Sequence, residues 1–101
     1  MPEVILQLNE AHKGAFKIEE HGHHIAEMVV AVKGQELHIY HTEVADDHQG
    51  QGLAKQLLDA MVNYARTRHL QVVPYCVYVQ GQFKRNPELY ADIWKRTPET
   101  E

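Results

Sequence analysis

The sequence predicts an α/β (α+β) fold: one compact mixed sheet, one long helix and a short C-terminal helix. Three observations point there. Segments with strand composition fill the first half. After Gly52 the apolar period changes to helical spacing. Strand composition then returns at Gln71. The chain has 101 residues, which suits a single domain over 1–101.

Each element has its own warrant. Val4 to Leu8 alternates apolar and polar residues, and Asn9 to Gly14 reads as a turn. Ala15 to Glu20 is a short strand, broken by Gly22. Ile25 to Val32 is rich in β-branched residues and reads as a buried strand. Lys33-Gly34-Gln35 is a hairpin connection. Leu37 to Val44 follows, with Leu37, Ile39 and His41 on one face and His38, Tyr40 and Thr42 on the other. Ala54, Leu57, Leu58, Met61, Val62 and Ala65 then mark an amphipathic helix of about four turns. Gln71 to Val79 is expected to be a strand, irregular at Pro74 because proline cannot donate to a ladder. Asn86-Pro87 opens a short helix, Pro87 to Trp94, and the tail after Lys95 is expected to fray. The strand–helix–strand unit from Leu37 to Val77 is a βαβ crossover, expected to be right-handed with parallel strands.

Composition narrows the partners. The hydrophobic fraction is 44% and the charged fraction 24%, as in an ordinary globular domain. The formal net charge is −4, so no basic field favours nucleic acid. Met1-Pro2-Glu3-Val4 lacks a cationic start, so no signal peptide is expected. No window approaches the roughly 18 apolar residues of a membrane helix, so no membrane partner is expected. Cys76 is the single cysteine, which excludes an internal disulfide and suits a reducing cytoplasm. Oligomeric state stays open, since an edge strand can pair.

Gln49-Gly50-Gln51-Gly52-Leu53-Ala54 lies between a strand and the long helix. Its glycines permit a sharp turn and close backbone approach. The helix start adds unpaired N–H groups and the positive end of the dipole, a place for phosphate. The Rossmann pattern fails for want of a third glycine, and the Walker pattern fails because Leu53 follows Gly52.

Gln49-x-x-Gly52-x-Ala54 resembles the acyl-CoA loop of the GNAT N-acetyltransferase superfamily. The chain is similar to its very short members through three blocks in order: His41-Thr42-Glu43-Val44, Gln49 to Ala54, and Pro74-Tyr75-Cys76. The resemblance covers roughly Ile25 to Trp94. It implies a GNAT-like fold and acetyl-CoA as cosubstrate for transfer to an amine of unknown identity. The pyrophosphate would sit on backbone N–H groups of Gln49, Gly50, Gln51, Gly52, Leu53 and Ala54. The pantetheine would run beside the strand ending at Val44, in a cleft where that strand and the one carrying Cys76 splay apart. The N-terminal half is too short for the two helices that usually follow the first strand of the family.

Four residues are candidates for the chemistry. Glu43 matches a base on the cleft strand. Cys76 offers a thiolate that accepts the acyl group, with His41 to activate it. Asn86 and Tyr90 lie four apart on the last helix. The resemblance implies a CoA contact for Asn86 and an acid near the thiol for Tyr90, against a core role for Tyr90. Lys84-Arg85 with Lys95-Arg96 is a small basic area that suits a CoA phosphate or simply solvent. His21, His23 and His24 are read as solvated turn histidines, and no metal is expected. The leading reading is an acetyl-CoA-dependent N-acetyltransferase. The alternatives are a non-catalytic acyl-CoA-binding module and a histidine-rich metal-binding domain.

Overall fold

Alternation in the first half of the chain produces an antiparallel meander. A computed structural model describes residues 3–95. Strands β1 (Val4–Leu8), β2 (Lys13–Glu20), β3 (His23–Lys33) and β4 (Glu36–Val44) pair antiparallel in chain order. A 3₁₀ turn, Asp46–His48, and the glycine loop lead into helix α1 (Leu53–Thr67). Strand β5 (Gln71–Pro74) then adds parallel to β4. The chain continues through helices α2 (Val77–Arg85) and α3 (Pro87–Tyr90). The strand order is β1-β2-β3-β4-β5. The mixed sheet, the long helix and the parallel crossover pair follow the expectation.

Local chemistry sets the turns. The Asn9 side-chain oxygen accepts the Ala11 N–H at 2.8 Å and the Lys13 N–H at 3.1 Å, so β2 begins at Lys13. Leu53, Leu57, Leu58, Met61, Val62 and Ala65 form the buried stripe of α1. That stripe packs on Met28, Val30, Leu37 and Ile39 of the sheet. Val79 and Phe83 of α2 and Tyr90 of α3 join the same cluster, so the helices share one face of the sheet. Each fully buried aliphatic side chain there contributes about 1.5–3 kcal/mol.

Three expectations are corrected. The segment 71–79 is a strand only to Pro74. Beyond it, the Tyr75 and Cys76 N–H groups both donate to the Ile39 carbonyl, at 2.9 and 3.0 Å. The chain then leaves the sheet, and Cys76 becomes the cap of α2 rather than a strand residue. Val77 is 83% exposed while Val79 and Phe83 are buried, a helical period that overrides β-branched composition. The last helix stops at Tyr90 instead of Trp94, because Ile93 to Lys95 bond to Val72 of β5.

The third correction concerns β4. Val29 pairs with His41 but Val30 pairs with Ile39, which leaves Tyr40 as an extra residue, a β-bulge. Leu37 and Ile39 pair with Val32 and Val30. Beyond the bulge Thr42 and Val44 pair with Met28 and Ala26, on the same core face. His41 therefore shares the opposite face with Glu43 and not with Leu37 and Ile39. Met1, Pro2, Arg96 and the rest of the tail, expected to fray, lie outside the described residues.

Candidate functional site

The glycine loop is built by backbone conformations only glycine adopts readily. Gly50 has φ +82° and Gly52, the residue before α1, has φ +76°. A Cβ at either would meet nothing within 4 Å, so the space above them is open. The first bond into α1 runs from the Gln56 N–H to the Gly52 carbonyl at 3.1 Å. The N–H groups of Leu53, Ala54 and Lys55 precede it and have no acceptor within the helix. The Leu53 side chain is buried in the core, so only its backbone faces the loop. The Gln49 amide donates to the Val44 carbonyl at 2.8 Å and ties the loop to the end of β4. Gln51 is exposed beside it. His48 sits between Asp47, at 2.9 Å, and Glu20, at 3.4 Å.

The β4–β5 ladder ends at the pair Ile39 and Pro74. Past it β4 runs on alone, because β5 ends at Pro74 and the chain turns into α2. The split therefore lies between β4 and the start of that helix, and not between two splayed strands. The two faces of this split differ. On the core face the Thr42 hydroxyl lies 3.2 Å from the Cys76 sulfur, and Cys76 is buried. On the opposite face the rings of Tyr40 and Tyr75 stack, with centroids 5.3 Å apart and planes at 5°. An open cleft of about 670 Å³ at the free end of β4 is lined by Thr42, Glu43, Val44, Ala45 and Gln49 and by Ile25 to Glu27 of the adjoining strand β3. It brings the predicted residues Glu43, Val44 and Gln49 together.

Other predicted residues are placed elsewhere. His41 is not joined to Cys76; its ring nitrogen pairs with Glu43 at 3.1 Å, and both side chains are exposed. Tyr90 stacks on Phe83 with ring centroids 4.5 Å apart inside the core, the placement set against a role as an acid near the thiol. Asn86 joins α2 to α3, and its amide turns back to the Gln82 carbonyl at 3.2 Å. It is exposed while Tyr90 is buried, so the two do not share a face. His24 pairs with Glu19 at 2.6 Å. Among the described residues no group of three or more His, Cys, Asp or Glu side chains is arranged for a metal.

Sequence reasoning missed Thr42 as the thiol's neighbour, because alternation counted through the bulge assigns it to the wrong face. It also missed Tyr78, half-buried on α2 in the field of Lys55 and Asp59 of α1, whose hydroxyl pKa is pushed up by burial. Lys55 itself is held by Asp59 at 2.9 Å. His38 was legible only as a strand residue. It is buried, with one ring nitrogen 3.1 Å from the Tyr75 hydroxyl and the other 2.9 Å from Glu36.

Comparisons with known proteins agree with this layout. The model of the GCN5-related N-acetyl-transferase family matches residues 15–93. Protein NATD1 of human and of mouse is 37% identical over 49 residues, 48% of this chain. The match spans 43% of the human protein, so the chain covers less than half the length of these curated relatives. The NMR structure of a GCN5-like protein from Staphylococcus aureus is 27% identical, with a TM-score of 0.67. That match covers 96% of this chain and 93% of the other. A GNAT family acetyltransferase from Elizabethkingia anophelis, solved with acetyl-CoA bound, shares the fold at a TM-score of 0.57 and 20% identity. It covers 77% of this chain and 53% of that one. No helix among the described residues is long and apolar enough to cross a membrane. The family match takes in the glycine loop and both sides of the split, and the chain belongs to the GCN5-related N-acetyltransferase family.

Proposed function

We propose that the protein is an acetyl-CoA-dependent N-acetyltransferase acting on an amine. The observation that carries this reading is the loop. Gly50 and Gly52 hold positive φ under open space at the start of α1, beside the end of β4, which runs on past its last pair with β5 at Ile39. Residues Gln49 to Ala54 fit a pyrophosphate through backbone N–H groups and the helix dipole. The acyl end would extend along Val44 toward the split, where Thr42 and Cys76 meet. When bound, acetyl-CoA supplies an activated thioester carbonyl. The chain's own part is to hold it, exclude water and manage the amine's proton. Glu43, paired with His41, is an exposed carboxylate on the far side of β4. Cys76 is the group that would carry an acyl chain covalently. The single cysteine also suits a cytoplasmic protein.

Calorimetry tests the loop. Gly52→Val forces a β-branched residue to φ +76°, and acetyl-CoA affinity is expected to fall at least tenfold. Unchanged affinity in a folded variant removes the assignment. A second reading, a non-catalytic acyl-CoA-binding module, is favoured by the tight β1–β2 turn closed by Asn9, which leaves no helices there to shape an acceptor pocket. A panel of amines separates the two. Turnover that survives Cys76→Ala assigns direct attack by the amine.

A further inference from the structure

Tyr40 and Tyr75 are the first residues past the last paired rung of β4 and β5. They therefore stand at the vertex of the split, on the face that no described helix covers. Tyr40 is 39% exposed and Tyr75 54%, while His38 behind them is 8% exposed. All three rings lie nearly parallel. The lateral neighbours of His38 on β3 and β5 are Ala31 and Val73, neither of which ionises.

The hydrogen bonds of His38 have a direction. Glu36 is ion-paired with Lys95, which together with His38 holds its carboxyl below the usual value, so it accepts only. In the neutral ring Nε2 therefore donates to Glu36. Nδ1 is left with a lone pair toward the Tyr75 hydroxyl, 3.1 Å away. A buried base is thereby connected to an exposed phenol at the mouth of the split.

We propose that Glu36, His38 and Tyr75 form a proton relay serving a primary alkylammonium acceptor at the open face of the split, an inference that rests on acyl transfer taking place there. The ammonium gives a proton to the Tyr75 oxygen as the phenol's own proton moves to His38 Nδ1. The amine is left with a free lone pair, and the imidazolium is left against the Glu36 carboxylate. Only N–H and O–H bonds change, and the positive charge passes from substrate to His38. A later return through Tyr75 to water restores the neutral ring. Tyr75 is the residue that meets the substrate; His38 and Glu36 act through it as positioning residues. The exposed tyrosine faces attract a cation, and Glu43 opposite Glu27 adds negative charge on the same side of the sheet.

The test compares two acceptors at pH 7: pentylamine, which is cationic, and p-anisidine, which is already neutral. The relay is needed only for the first. Tyr75→Phe keeps the ring stack and is expected to lower kcat/KM for pentylamine about a hundredfold, while p-anisidine keeps the same order of magnitude. His38→Gln is expected to show the same discrimination, which a merely structural role would not produce. Equal loss on both amines, or loss on neither, overturns the relay. Wild-type protein that binds acetyl-CoA but acetylates neither amine overturns the acceptor class and the proposal with it. Failure of wild-type protein to bind acetyl-CoA in calorimetry overturns instead the reading on which the relay rests.

Discussion

His48 stands immediately before Gln49, between the Asp47 and Glu20 carboxylates. The hydrogen bond to Asp47 is the main cause that raises its pKa above 6.5, with Glu20 adding to it and partial burial opposing. A pKa raised by folding adds stability that is fully present below the unfolded value. That stability is lost as pH rises through the folded value. Asp47 is shifted the other way, chiefly by the same hydrogen bond. Its share is present above its unfolded value near 3.8 and is lost as pH falls. The pair therefore fastens the approach to the glycine loop best between the unfolded values near 3.8 for Asp47 and 6.5 for His48. An NMR titration is expected to give a His48 ring midpoint above 6.5 that drops in Asp47→Asn. A midpoint indifferent to that change would show that the pair does not form in solution.

Among the elements, the hairpins depend on close backbone approach. A Cβ on Gly14 would fall 1.8 Å from the Gln7 carbonyl oxygen of the paired strand. Gly14→Ala must push β2 from β1 and is expected to cost about 1–3 kcal/mol or more, read from the urea midpoint. A midpoint within error of the parent would show that the edge strand yields freely. The elements also show what a sequence can tell. Alternation in Val4–Leu8 and five of the six stripe residues of α1, Leu57 to Ala65, were legible because each buries one face against a single partner. The stripe opens on Leu53 and not, as the helical spacing suggests, on Ala54. The Gly50 and Gly52 pair was legible because positive φ has a residue signature. Helix α2 was not, because Val77, Tyr78 and Val79 have strand composition and only the distant contacts of Val79 and Phe83 decide the matter. The His38–Tyr75 contact was likewise hidden, since it joins residues 37 positions apart.

At the scale of the whole molecule, Ile93 to Lys95 fold back over the outer edge of the sheet. The Val72 N–H donates to the Ile93 carbonyl at 2.6 Å, and the Lys95 N–H donates to the Val72 carbonyl at 2.9 Å. Ile93 is 3% exposed and belongs to the core. A domain of this size has only about 5–15 kcal/mol of stability. Ile93→Ala is expected to remove about 2–5 kcal/mol of it, seen as a lower urea midpoint. Stability equal to the parent's would show that this last segment adds nothing. The segment has a further effect, on assembly. With β5 covered at Val72, and the split set apart, β1 is the outer strand whose second edge has no partner strand among the described residues, with Ile5 47% exposed on it. Two copies meeting β1 to β1 about a twofold axis would leave no second edge on which to grow. Such a pairing would close association through the sheet at a dimer, because the strap from Ile93 to Lys95 occupies the other border at Val72.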